Sequence, residues 1–185
     1  MISFCALDFE TATFERSSAC EVGICVVEEG KKAFTKTWLI KPPSYPYFHP
    51  RTVAIHGIHP EEVADAPTFA EIWDEINDLL HGNLMIAHNA SFDAGVLNGT
   101  LDYYGLFKPK LQYLCSLKLA KKSWKNLPSY GLKNLANLHG IQFNHHRAGD
   151  DAQVCAELSL LGFERLMITR QEEISAFFNK DLRML

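Results

Sequence analysis

Leu84-Met85-Ile86-Ala87-His88-Asn89-Ala90-Ser91-Phe92-Asp93 is where the chain changes its manner of folding. Four apolar residues make a short buried strand, His88-Asn89-Ala90-Ser91 supplies a turn and an N-cap, and a helix is expected from Phe92 to about Tyr104. Before this point the pattern is different. Ser3 to Asp8, Val22 to Val27 and Ala33 to Ile40 are rich in β-branched and aromatic residues, and Glu29-Gly30-Lys31 offers a turn between the last two. They read as three consecutive antiparallel strands. After it, Leu111 to Cys115 repeats the strand, with helical stretches near Leu117 to Lys122 and Leu132 to Leu138, then a long helix from about Ala148.

Three antiparallel strands followed by two strand-helix units predict an α/β fold: a mixed sheet whose last two strands are parallel, with helices on both faces. Two segments lie outside that rhythm. Thr68 caps a helix with Phe69, Ile72, Trp73, Ile76, Leu79 and Leu80 at helical spacing, stopped by Gly82. Lys41 to Pro50 holds four prolines and is expected to be an exposed, unusually aromatic loop. Residues 1–162 read as the main domain, and 163–185 as a helical tail of the same domain.

The chain has 185 residues, 47% of them hydrophobic, which is enough for one domain with an ordinary core. Its five cysteines are odd in number, never spaced Cys-x-x-Cys, and lie mostly in apolar runs. They read as reduced core residues of a cytoplasmic protein. No secretory signal pattern opens the chain, and no apolar run approaches the roughly 18 residues that span a bilayer. A net charge of −4 does not advertise a phosphate-binding surface. Its distribution does more. Between Tyr103 and Gly149 there is no acidic residue, while Lys108, Lys110, Lys118, Lys121, Lys122, Lys125, Lys133 and Arg147 are all basic. That asymmetry fits a basic rim beside an acidic, metal-loading site, and equally a solvated lysine-rich face.

Three constellations carry chemistry. Asp8 and Glu10 stand two apart at a strand end, so both carboxylates point to one side. Burying unpaired charge is costly, and a cation would relieve it; oxygen-only ligands favour Mg²⁺ or Mn²⁺. A solvated strand end would also account for them. Asp93 enters in the first turn of a helix, where it suits the dipole, but His88 and Asn89 gather with it at the carboxyl edge of a strand, where α/β sheets place ligands. His145-His146-Arg147-Ala148-Gly149-Asp150-Asp151-Ala152 opens the final helix. A histidine in the preceding loop can lean over the same site, and imidazole suits proton transfer from water near neutral pH.

Taken together, Asp8-Phe9-Glu10-Thr11, His88-Asn89-Ala90-x-Phe92-Asp93 and His146-x-Ala148-x-x-Asp151-Ala152 resemble the DEDDh 3′→5′ exonuclease superfamily. Within it the chain is most similar to the proofreading (epsilon) subunits of bacterial DNA polymerase III. The likeness runs from about Ser3 to Leu161 and includes Ile55-His56-Gly57-Ile58, Pro67-Thr68-Phe69 and Tyr130-Gly131-Leu132-x-x-Leu135.

The resemblance implies a ribonuclease H-like fold and a two-metal-ion hydrolysis at the 3′ end of DNA, or alternatively of RNA, releasing nucleoside 5′-monophosphates. Asp8, Glu10, Asp93 and Asp151 would hold two divalent cations, Mg²⁺ or Mn²⁺. His146 would be the general base, its spacing to Asp151 favouring it over His145. Thr11 would lie by the terminal 3′-hydroxyl, and His56, Asn89 and Phe92 would line the terminal-nucleotide pocket. The segment Thr13-Phe14-Glu15-Arg16-Ser17-Ser18 departs from the epsilon pattern, which has glycine at the first of these positions.

A binding-only adaptor would have no reason to keep four mutually repelling acids. In the tail, Gln171-x-x-Ile174-x-x-Phe177-Phe178 resembles peptides that dock on sliding clamps, which suggests a clamp or polymerase partner. The same spacing also suits an amphipathic helix packed on its own domain.

Overall fold

In the computed structural model, which describes residues 1–185, the first strand, β1 (Phe4–Thr11), runs through the middle of a six-stranded sheet. β2 (Ala19–Glu28) and β3 (Lys31–Leu39) extend it antiparallel on one side. On the other side β4 (Met85–Ala87) and β5 (Gln112–Cys115) run parallel to it, as the change of pattern at residues 84–93 requires. The sheet order is β3-β2-β1-β4-β5-β6, where β6 is the short edge strand Arg183–Met184, and its first five strands form the mixed ribonuclease H-like arrangement anticipated from sequence. No helix is long and apolar enough to cross a membrane.

The alternation along β1 divides the core. Cys5, Leu7 and Phe9 face α2 (Phe69–Leu80) and α3 (Ser91–Tyr104), packing with Ile72, Trp73, Val96 and Leu97. Phe4 and Ala6 face the opposite layer, built from α4 (Ser116–Ser123), α5 (Leu132–Leu138) and α6 (Ala148–Arg165), and join Leu119, Leu135, Ala152 and Cys155. Asp8 and Glu10 continue the parity of Phe4 and Ala6. Both are thereby turned toward the layer that contains α6.

Helix ends follow local chemistry. Thr68 and Glu71 form a capping box at the start of α2, with the Glu71 carboxylate accepting from the Thr68 N–H at 2.7 Å. One helix was not anticipated: α1 (Pro50–His56) starts inside the proline-rich stretch. Pro50 stands in the first turn, where its missing N–H costs nothing, and His49 Nδ1 accepts from the Arg51 N–H at 3.1 Å. A 3-10 turn follows at Pro60–Val63. Nor is the stretch before it fully exposed: Phe48 is buried with Ala12, Cys20, Ile58 and Val63 in a small third core.

The tail also differs from a plain helical extension. It forms α7 (Gln171–Phe177) and ends in β6 (Arg183–Met184), which pairs antiparallel with β5 and occupies the sheet edge. Ile174 and Phe178 are buried in the α6 layer, and Gln171 Oε1 accepts from the Ser3 N–H at 3.1 Å. Three of the four residues of the clamp-like motif are therefore used internally and only Phe177 is exposed, which removes the motif as a docking peptide. The five cysteines are free thiols, four of them buried.

Candidate active site

A cavity of about 430 Å³ opens at the carboxyl ends of β1 and β4. Asp8, Glu10, Thr11, His56, Asn89, Phe92, Asp93, His146 and Asp151 all line it. Every residue assigned to the active site from the sequence thus lines one cavity.

β1 delivers Asp8 and Glu10 side by side, and α6 brings Asp151 against them from its first turn; one carboxylate oxygen from each lies within 4.8 Å of the others. Asp93, in the first turn of α3, is tied to β1 by accepting from the Phe9 N–H at 3.1 Å through Oδ1. Its other oxygen, Oδ2, is buried with no partner. A carboxylate oxygen left so is expensive unless something neutralises it.

Electrostatics report the same crowding. Burial, with the neighbouring acids Asp93, Asp151 and Glu10 adding to it, holds the Asp8 carboxyl well above the usual carboxylate range. Glu10 is pushed up to about 8 by burial and by Asp151 and Glu21. Asp93 is raised to about 8, chiefly by burial, and Asp151 is raised by burial against the opposing pull of His145. Such a set is ready to give up protons to a divalent cation. The donors are all oxygen, which suits Mg²⁺ or Mn²⁺.

The loop before α6 wraps around Asp151. The His146 N–H donates to both Asp151 oxygens at 3.3 Å, with His146 held at φ 69°, in the left-handed region that non-glycine residues enter rarely. Its ring points to Glu10, Nδ1 lying 3.9 Å from Oε1, and burial together with the adjacent His145 lowers its pKa. On the opposite wall, His56 Nδ1 accepts from the Ile58 N–H at 3.0 Å, so its Nε2 carries the hydrogen and donates to the Thr11 carbonyl at 3.2 Å. That bond fixes Thr11 at the rim. Asn89 also takes a left-handed conformation, at φ 64°, in the turn between β4 and α3.

Several participants were not singled out beforehand. Phe14 and Ile55 line the same cavity although they are 67% and 53% exposed, giving it an apolar lip; Phe14 lies in the segment that departs from the epsilon pattern. Buried Glu21, paired across β1 and β2 with Glu10, accepts from Arg147 Nη2 at 2.6 Å, from Arg147 Nε at 3.1 Å and from the Ala148 N–H at 2.7 Å. This clasp seats the start of α6. In the sequence Glu21 falls just before the strand read at Val22 to Val27, and only its register opposite Glu10 could have revealed it.

The clasp also alters the basic rim. Arg147 is committed to Glu21, Lys108 to Asp102, and Lys118 and Lys122 to Asp181, so half of the eight basic residues already hold an acidic partner. Asp181 comes from the tail, far away in sequence, which is why the acid-free segment looked more strongly charged than it is.

The family model described as exonuclease, RNase T, matches residues 5–159. The chain belongs to the RNase T family of exonucleases, hydrolases of phosphodiester bonds. Among its relatives, the 3′-5′ exonuclease DinG of Staphylococcus saprophyticus is 30% identical over 166 residues, covering 88% of this chain and 18% of that protein. The chain thus spans under a fifth of the DinG relative's length. The DNA polymerase III epsilon subunit of Aquifex aeolicus is 29% identical over 168 residues, covering 89% of this chain and 82% of its own. Among solved structures, exonuclease X in complex with 5′ overhanging duplex DNA superposes with a TM-score of 0.72 at 24% identity, over 87% of this chain and 91% of that one. The last likeness concerns the fold.

Proposed function

We propose that this exonuclease removes nucleotides one at a time from the 3′ end of single-stranded DNA, releasing nucleoside 5′-monophosphates. The observation that carries the reading is the convergence of Asp8, Glu10, Asp93 and Asp151, from three distant segments, on one cavity edged by His146.

Asp8, Glu10 and Asp151 would hold one divalent cation, and Asp8 with Asp93 a second; the orphaned Oδ2 of Asp93 and the raised carboxyl pKa values fit such occupants. When bound, a pair of cations neutralises charge on the attacking and leaving oxygens of an in-line displacement at phosphorus. The remaining tasks belong to the chain. His146, kept neutral by its lowered pKa, takes the proton from the attacking water. With Nδ1 turned toward Glu10, Nε2 is the nitrogen left for that proton. Phe92, half buried beside the pocket, offers a ring on which any base can stack, and Thr11, His56 and Asn89 supply polar groups around the terminal sugar.

The likeness to a DNA polymerase III epsilon subunit supports DNA over RNA as the substrate and a place beside a polymerase. Five thiols free of disulfides suit a reducing cytoplasm. The deciding experiment compares matched, 5′-end-labelled single-stranded DNA and RNA with Mg²⁺ or Mn²⁺, using Asp8→Ala as the control. DNA shortened stepwise from its 3′ end, with the variant inert, is expected. Preferential loss of RNA would replace the substrate, and products cut internally would remove the exonucleolytic reading.

A further inference from the structure

We infer that His145, His146 and Asp151 form a second cation site, suited to a borderline transition ion of the Zn²⁺ class and distinct in chemistry from the oxygen-only cluster beside it. One ligand atom from each of the three lies within 4.8 Å of the other two. His145 Nδ1 is already 3.2 Å from both carboxylate oxygens of Asp151. The His146 ring stacks on His145 with centroids 3.8 Å apart and planes 24° apart.

The backbone holds these groups together. The His146 N–H reaches the Asp151 carboxylate, so the loop is closed around it whichever way the rings turn. A shared ion would sit about 2.1 Å from each nitrogen, which requires the His146 ring to swing out of its stack. Little opposes this. Besides the stack on His145, the ring faces Glu10 at 3.9 Å, beyond hydrogen-bond distance, and its side chain is 42% exposed. Two imidazoles and one carboxylate are the donor set preferred by Zn²⁺ and its neighbours, whereas Mg²⁺ prefers oxygen throughout.

An ion held here diverts Asp151 from the carboxylate cluster and occupies a nitrogen of His146. Its binding therefore competes with hydrolysis. That consequence rests on the roles proposed above for Asp151 and His146, but the binding itself does not.

The test uses the full chain carrying Asp8→Ala, which breaks the oxygen cluster, with Zn²⁺ titrated by calorimetry and Co²⁺ as a spectroscopic probe of nitrogen ligation. One equivalent should bind, and adding His145→Asn should weaken it by at least about tenfold. His146→Asn in the same background should do likewise, and thermal unfolding checks that both variants remain folded. Unchanged affinity in either double variant would overturn the site. In the wild-type protein, Zn²⁺ should inhibit Mn²⁺-supported hydrolysis, with His145→Asn needing about tenfold more of it. Zinc that binds through the histidines without slowing hydrolysis would uphold the site and count against His146 as the base.

Discussion

His145 and His146 are stacked neighbours with different targets: His145 Nδ1 lies 3.2 Å from Asp151, whereas His146 Nδ1 faces Glu10 at 3.9 Å. Adjacent residues reach different acids because His146 adopts a left-handed backbone and turns its ring across the cavity mouth. His145 steadies a carboxylate, and His146, with its side chain 42% exposed, is in place for the proton transfer proposed for it.

Replacing His146, the proposed base, should cost more than replacing its neighbour. His146→Ala is expected to lower kcat by about 10²- to 10⁴-fold, the usual worth of a positioned general base, with KM changed little. His145→Ala should lose less than about tenfold, since the two His146 N–H contacts still hold Asp151. Steady-state kinetics on a labelled oligonucleotide decide it; equal losses would undo the division of roles.

The sequence revealed this site well because each part of it rides on a local rule. Asp8 and Glu10 share a strand face by parity, and Asp93 and Asp151 each enter in the first turn of a helix. Long-range pairings were hidden for the opposite reason. Nothing near Arg147 announces that Glu21 waits for it, nor does anything near Lys118 announce Asp181. Pro50 was read as a breaker although at a first-turn position it begins a helix, and β6 is two residues long, too short for any periodicity to show.

The acidic cluster makes stability fall with pH when no cation is supplied. Its carboxyls titrate higher in the folded state than in the unfolded chain, so the folded form retains protons that the unfolded form has lost. The stabilisation is complete below the ordinary carboxylate range and disappears as pH rises through about 8, the value for Glu10 and Asp93. His88 acts in the opposite direction but only in acid: burial depresses it to about 4, so stability tied to it is lost as pH falls below about 6.5. With chelator present, Tm should therefore drop between about pH 6.5 and 9, and Mn²⁺ should restore it most at the alkaline end. Asp8→Ala should flatten the slope. A chelated protein with the same Tm across that range would contradict the raised carboxyl values.

The seat of α6 tolerates little change. A Cβ at Gly23 would lie 2.2 Å from the Ala148 backbone, and one at Gly149 would lie 2.0 Å from Thr37 Oγ1, so the helix start sits on the sheet with no room for a side chain at either glycine. Gly23→Ala should push the helix start away and destabilise by roughly 1–3 kcal/mol. Because Asp151 travels with that helix, Mn²⁺ affinity should fall as well. Denaturant unfolding and metal titration of the folded variant measure the two effects separately.

Glu21 and Arg147 differ in what their loss leaves behind. The Glu21 side chain is 1% exposed and that of Arg147 is 45% exposed, so the guanidinium can return to water and the carboxylate cannot. Arg147→Ala leaves the buried Glu21 carboxylate without its cationic partner and should cost on the order of 3 kcal/mol. Glu21→Gln keeps the shape and an acceptor for the Ala148 N–H, and should cost less. Equilibrium unfolding of the two variants gives the order, and a larger loss for Glu21→Gln would mean that the clasp contributes through geometry rather than charge.

The tail is part of the domain's energetics and not a free peptide. Phe178 is fully buried, meeting the Phe163 ring edge-on with centroids 6.3 Å apart, and Ile174 lies in the same core. Phe178→Ala should cost about 3–5 kcal/mol, the ordinary penalty for emptying a buried aromatic site. Phe177→Ala, at an exposed position, should cost far less. A docking peptide would reverse this order of importance: Phe177 and Phe178 would both be dispensable for folding and both needed for a partner. Thermal unfolding of the two single variants separates the possibilities, and a Phe178→Ala protein as stable as wild type would return the segment to the surface.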